Sequence, residues 1–163
     1  LLVLMFSATI TGTIITHYEN AFAAVPLLVS FIPMLMDTGG NCGSQSSTLI
    51  IRGLALDEIK FKDIFRVIFK EFRIALLVGI GLAIANGIRI FIMYKDLKMA
   101  VVIALSLSLI VIIAKIIGCT LPLFAKKLHM DPAIMASPLI TTVVDTCSIM
   151  IYFSIATRVF TLS

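Results

Sequence analysis

The chain has 163 residues, 60% of them hydrophobic and 13% charged, with a net charge of +4 and a mean hydropathy of +1.14. A soluble domain carries about a quarter charged residues, so composition excludes one and points to an all-α integral membrane protein; about five spans of roughly 20 residues fit, as a single transmembrane domain over 1–163. No basic stripe interleaved with aromatics points to nucleic acid, and Cys42, Cys119 and Cys147 lie far apart in apolar segments without metal-ligand spacing.

The first span is read over residues 1–16, closed by His17-Tyr18-Glu19-Asn20. It starts apolar, without Met, basic leader or cleavage site, so the chain reads as a piece of something longer, cut within or just before this span. The second apolar stretch, from about Ala21 to Ile51, would be about 46 Å long as one helix, against a hydrocarbon core of about 30 Å. It must tilt, kink or break, and Pro26, Pro33 and Gly39-Gly40 are the expected places. Asp37, Gly39, Gly40, Asn41, Ser44 and Gln45 lie at its centre, where unsatisfied polar groups are most expensive. Irregular backbone at that depth survives only inside protein or along a water-filled path, so this segment is expected to line a pore or substrate site.

Residues 57–73 change pattern. Phe61, Ile64, Phe65, Ile68, Phe69 and Phe72 recur at helical spacing with Lys60, Lys62, Arg66, Lys70 and Arg73 between them. This predicts an amphipathic helix in the membrane interface with Asp57 as its N-cap. With Arg52, its bases mark the cytoplasmic side. The third span, about Ile74 to Tyr94, carries Ala75, Gly79, Ala83 and Gly87 at four-residue spacing, which predicts a helix-packing seam. The fourth, about Met99 to Phe124, ends at Pro122 and Lys126-Lys127; within it Lys115 either snorkels or pairs with an acid. The fifth, about Pro132 to Thr157, holds Asp145 near the bilayer midplane. Span parity then puts the C-terminus outside.

Asp37 and Asp145 are the only acids this reading places deep in the spans, and a carboxylate there needs a cation, a base or a proton. Thr141 lies one helical turn before Asp145, and Pro138 is expected to leave the Ile134 carbonyl without its donor. Thr38, Asn41, Ser44 and Gln45 add oxygen near Asp37. Such ligands suit hard cations, Mg²⁺, Ca²⁺ or Mn²⁺, rather than copper or zinc. Mg²⁺ gives up water reluctantly, so its path should be wide, lined by carbonyls and amides, with few direct carboxylates. The plainer alternative is that Asp145 only ties helices together through hydrogen bonds.

Pro33 through Gly53, with Gly39-Gly40-Asn41-x-Gly43-x-Gln45 at its centre, followed by Pro138-x-x-Thr141-Thr142-x-x-Asp145, resembles the transmembrane domain of the MgtE family of magnesium channels over essentially the whole chain. The resemblance implies a homodimer of five-span subunits whose second and fifth spans line one central pore. Asp37, Gly39, Gly40, Asn41, Ser44, Gln45, Pro138, Thr141, Thr142 and Asp145 would then be pore-lining. Asp145 would hold the hydrated ion, with carbonyls near Gly40 and Thr141 touching its waters. It also implies soluble regulatory domains, including a CBS pair, elsewhere in a parent chain, with the 57–73 helix as their docking surface. Two positions depart from the family pattern: Asp37 stands where many members have a small residue, and Ser44 where they have Asn. The expected function is conduction of hydrated Mg²⁺ down its electrochemical gradient across the cell membrane, not enzymatic catalysis. A secondary transporter exchanging a divalent cation for Na⁺ or H⁺, and a non-transporting membrane anchor, are the alternatives.

Overall fold

The structure, a computed structural model, describes residues 2–18, 25–135 and 137–160. Five α-helices are described, α1 (Leu2–His17), α2 (Ile32–Ala55), α3 (Ile64–Tyr94), α4 (Leu97–Lys127) and α5 (Ser137–Phe160), with 3₁₀ turns at Pro26–Phe31, Phe61–Asp63 and Pro132–Met135. No strand occurs among the described residues. Three segments, Phe61–Tyr94, Leu97–Lys127 and Pro138–Phe160, are long and apolar enough to cross a membrane. The sequence predicts five. Of the other two helices, α1 has only 16 residues, and polar side chains dilute the apolar character of the 24-residue α2.

Helix α4 is the centre of the bundle, packed against α3, α2 and α5, while α1 leans on α5. Small residues set these contacts. A methyl group at Gly79 would come within 3.3 Å of the Ser108 carbonyl, and one at Gly87 within 3.5 Å of Ala104 Cβ, so the Ala75-Gly79-Ala83-Gly87 stripe is the α3–α4 seam. Between α2 and α4 the backbones of Gly43 and Gly118 meet directly, and a side chain at Gly118 would run into the Gly43 carbonyl. Four residues on, Pro122 withholds the N–H that the Gly118 carbonyl would otherwise accept, yet α4 continues to Lys127, past the end expected near Phe124. Asp96 caps the start of α4, its carboxylate accepting from the Lys98 and Met99 amides at 2.8 and 3.2 Å. The Tyr152 hydroxyl donates to the Leu28 carbonyl at 2.8 Å, fixing the 3₁₀ entry to α2 against α5.

Three local expectations are corrected. Helix α2 runs unbroken through Gly39-Gly40, and no described glycine has a positive φ. Those glycines serve close packing: a methyl at Gly39 would lie 2.8 Å from Ile110 Cγ2 and 2.9 Å from Ser148 Oγ. The change of backbone comes earlier, where the 3₁₀ turn Pro26–Phe31 hands over to α2, with Pro33 in the first helical turn, where its missing N–H has no helical acceptor to lose.

Nor do residues 57–73 form a helix of their own. A 3₁₀ turn at Phe61–Asp63 leads straight into α3, which continues without interruption to Tyr94. The apolar stripe splits: Phe61, Ile64 and Ile68 join a cluster with Cys119 and Leu123, whereas Phe65, Phe69 and Phe72 face outward. Asp57 is not an N-cap; its φ of 56° makes it the left-handed turn after α2. The carboxylate that closes the next turn is that of Asp63, accepting from the Lys60 amide at 3.0 Å.

Candidate functional site

Helix α2 has two polar sides. Gly39, Gly43, Ser46 and Ser47 turn inward with Leu35 and Ile50, whereas Asp37, Asn41, Gln45 and Thr48 are exposed on the surface of the single chain. The outward set recurs every four residues or so, one face of a helix. Some of its hydroxyls bond to their own backbone: Thr48 Oγ1 donates to the Ser44 carbonyl at 2.9 Å, as Thr38 Oγ1 does to Met34 at 2.7 Å.

Helix α5 comes alongside because Gly40 has no side chain. A methyl there would lie 3.2 Å from Thr141 Cγ2 and 3.7 Å from Asp145 Oδ1. The two helices flank an open cavity of about 170 Å³ lined by Met36, Asp37, Gly40, Asn41, Thr141 and Asp145. That is room on the order of five water molecules. Its polar groups are two carboxylates, an amide and a hydroxyl, with neither thiolate nor imidazole, a donor set for a hard cation. Among the described residues neither Asp37 nor Asp145 has an ion-pair partner.

Five of the ten residues singled out from the sequence therefore meet in one place: Asp37, Gly40, Asn41, Thr141 and Asp145. Gly39 does not; it turns inward against Ile110, Val144 and Ser148. Gln45 lies on the same outward face of α2 beyond the cavity, with Ser44 half-buried beside it. Pro138 is the second residue of α5, not an interior break, so no helical donor is lost through it. Its own carbonyl accepts from Thr141 Oγ1 at 3.1 Å and Thr142 Oγ1 at 2.8 Å, tightening the first turn below Asp145.

A second polar cluster bears out the pairing alternative for Lys115, with an acid that the sequence reading does not name. Lys115 is buried and pairs with Glu71, its Nζ 3.3 Å from Oε2, not with Asp37. Ser46 Oγ donates to the same Oε2 at 2.6 Å and accepts from Lys115 Nζ at 3.0 Å, so α2, α3 and α4 are joined at one point. Reading residues 57–73 as an interfacial helix puts Glu71 at the water's edge. The contrary signal lies one turn away: Glu71 extends the Ala75-Gly79-Ala83-Gly87 stripe backward by four residues and so faces α4.

An all-helical bundle with three helices long and apolar enough to cross a bilayer is a membrane protein. The MgtE family profile, described as divalent cation transporter, matches residues 32–155. The chain belongs to this family. It is 40% identical over 157 residues to the magnesium transporter MgtE of Bacillus subtilis, covering 96% of this chain and 35% of that protein. Against the magnesium transporter MgtE of Thermus thermophilus it is 36% identical over 156 residues, covering 96% of this chain and 34% of the relative. The Enterococcus faecalis magnesium transporter MgtE is 31% identical over the same share of the chain. The chain thus spans about a third of the length of these curated relatives, at 35% and 34%.

Proposed function

We propose that this chain is the ion-conducting membrane domain of a magnesium transporter, passing hydrated Mg²⁺ down its electrochemical gradient. The observation that carries the reading is the α2–α5 cavity, where Asp145 and Asp37 have no basic partner among the described residues, on a face that the single chain leaves open. A carboxylate among apolar helices requires a compensating charge. A passing divalent cation supplies it, and the amide of Asn41 and hydroxyl of Thr141 suit the water shell that Mg²⁺ keeps.

The same face needs a cover, because Asp37, Asn41 and Gln45 cannot face lipid. A second copy related by a twofold axis covers it with an identical face, so the reading is a homodimer with one central path. In that assembly α1 and the segment containing α2 complete five spans, and residues 52–73 face the cytoplasm with the C-terminus outside the cell membrane. A potential of 100 mV, inside negative, gives a divalent cation about 4.6 kcal/mol, sufficient to drive influx. Soluble regulatory domains of the parent chain would gate the path. Asp37, a second acid beside Asp145, is the one feature that favours an exchanger, in which two carboxylates couple Mg²⁺ to H⁺ or Na⁺, or a path that also admits Mn²⁺ or Ca²⁺.

The test is Mg²⁺ flux into liposomes containing the parent protein, beside Asp145→Ala, with Ca²⁺ and Na⁺ as competing ions. Flux that collapses in a variant still assembling as wild type supports the reading. Undiminished and still selective flux sinks it, and flux that requires a counter-gradient of H⁺ or Na⁺ replaces the channel by an exchanger.

A further inference from the structure

We propose that Arg66, Lys70 and Arg73 form a binding site for the phosphate headgroup of an anionic phospholipid, whose acyl chains lie along the outer face of α3. The three bases recur at i, i+4 and i+7, one side of the helix. With Phe69, Ile74 and Leu77 they line a shallow groove of about 440 Å³. All three are exposed, and the one ion pair among the described residues is Lys115 with Glu71, so none of the three is ion-paired among those residues.

Helix stability does not account for their placement. They lie in the first three turns of α3, whose opening turn contains no acid. The helix dipole disfavours a cation only within the first turn, so it bears on Arg66 alone, whereas the three side chains together attract an anion. The next turns of α3 identify the anion as a lipid. From Ile74 to Ile88 there is no charged residue, and the outward side chains are apolar, with Phe69 63%, Leu77 76% and Ile84 58% exposed. A soluble anion would occupy only the basic rim; a phospholipid uses the rim and the apolar strip below it.

The proposal does not depend on the ion path. It is tested on the parent protein in mixed micelles, measuring by native mass spectrometry the retention of phosphatidylglycerol against phosphatidylcholine. Each exposed base near a charged headgroup contributes roughly a fivefold preference, so Arg66→Gln/Lys70→Gln/Arg73→Gln should lower the preference by about a hundredfold. Arg66→Lys/Arg73→Lys should largely keep it, and Lys95→Gln/Lys98→Gln, where α3 gives way to α4 at the opposite end, should leave it unchanged. An undiminished preference in the triple variant overturns the proposal and leaves the bases to contact a soluble segment of the parent chain. Displacement of the lipid by glycerol phosphate at equal concentration also overturns it, because the site would then read the phosphate alone.

Discussion

Helix α2 separates two polar clusters that share residue types and differ in how they are finished. On its inner side Ser46 meets Glu71 and Lys115, a buried set with its opposite charges 3.3 Å apart. On its outer side Asp37 and Asn41 meet Thr141 and Asp145 around a cavity with two acids and no base. The inner cluster is neutral and bonded to itself, so it asks nothing of its surroundings and holds three helices in register. The outer one gathers two carboxylates with no basic partner among the described residues, and on the proposed reading the transported ion completes it. A charged residue at membrane depth thus becomes a candidate for transport when its partner is missing from the fold.

The largest expected effect falls on the inner cluster. Lys115→Met leaves Glu71 buried without its cation and should destabilise the protein by about 3–5 kcal/mol, read as a lower thermal midpoint in detergent. Glu71→Gln/Lys115→Met removes both charges and should recover most of that loss. Equal losses in the single and the double variant would show that the pair does not act as a unit, and the contrast between the clusters would fail.

Asp145→Asn should give the opposite profile. No base is orphaned by it, so the thermal midpoint should stay within about 1 kcal/mol of wild type in stability. A divalent cation about 5 Å from a carboxylate gains about 1.7 kcal/mol even at the dielectric of water, so Mg²⁺ flux should fall about tenfold or more. Gly40→Ala sharpens the same point without touching a charge. Its methyl would press on Thr141 at 3.2 Å and take space from the cavity, whereas Gly81→Ala meets nothing within 4 Å. Flux reduced several-fold in the first and unchanged in the second is the expected result in the liposome assay.

Much of this contrast is legible in the sequence. The four-residue spacing of Ala75, Gly79, Ala83 and Gly87 locates the α3–α4 seam because close backbone approach admits only small side chains. Gly40, Asn41, Thr141 and Asp145 stand out as a group because oxygen-bearing residues are expensive among apolar ones. The failures have a common cause. Gly39-Gly40 reads as a helix break, but a glycine in a membrane helix serves contact as readily as irregularity, and local sequence does not distinguish the two. The basic neighbours Lys70 and Arg73 suggest a surface position for Glu71, although its own helical face points toward α4. Pairing across 44 residues, as between Glu71 and Lys115, depends on helix packing and leaves no local signature.

The smallest effect tests whether the outer cluster has one essential acid or two. Asp37 is exposed where Asp145 is half-buried, although both line the same cavity. A divalent cation about 8 Å from an exposed carboxylate, one Debye length away in physiological salt, gains only about 0.4 kcal/mol, roughly a factor of two. Asp37→Asn should therefore lower Mg²⁺ flux about twofold, and weaken competition by Ca²⁺ more, because Ca²⁺ sheds water to bind carboxylates directly while Mg²⁺ keeps its shell. A loss as large as that of Asp145→Asn would make the two acids a single shared site, with the ion held between them and its water shell partly removed. The outer cluster would then resemble the inner one, a bonded set in which the transported ion takes the place that Lys115 holds beside Glu71.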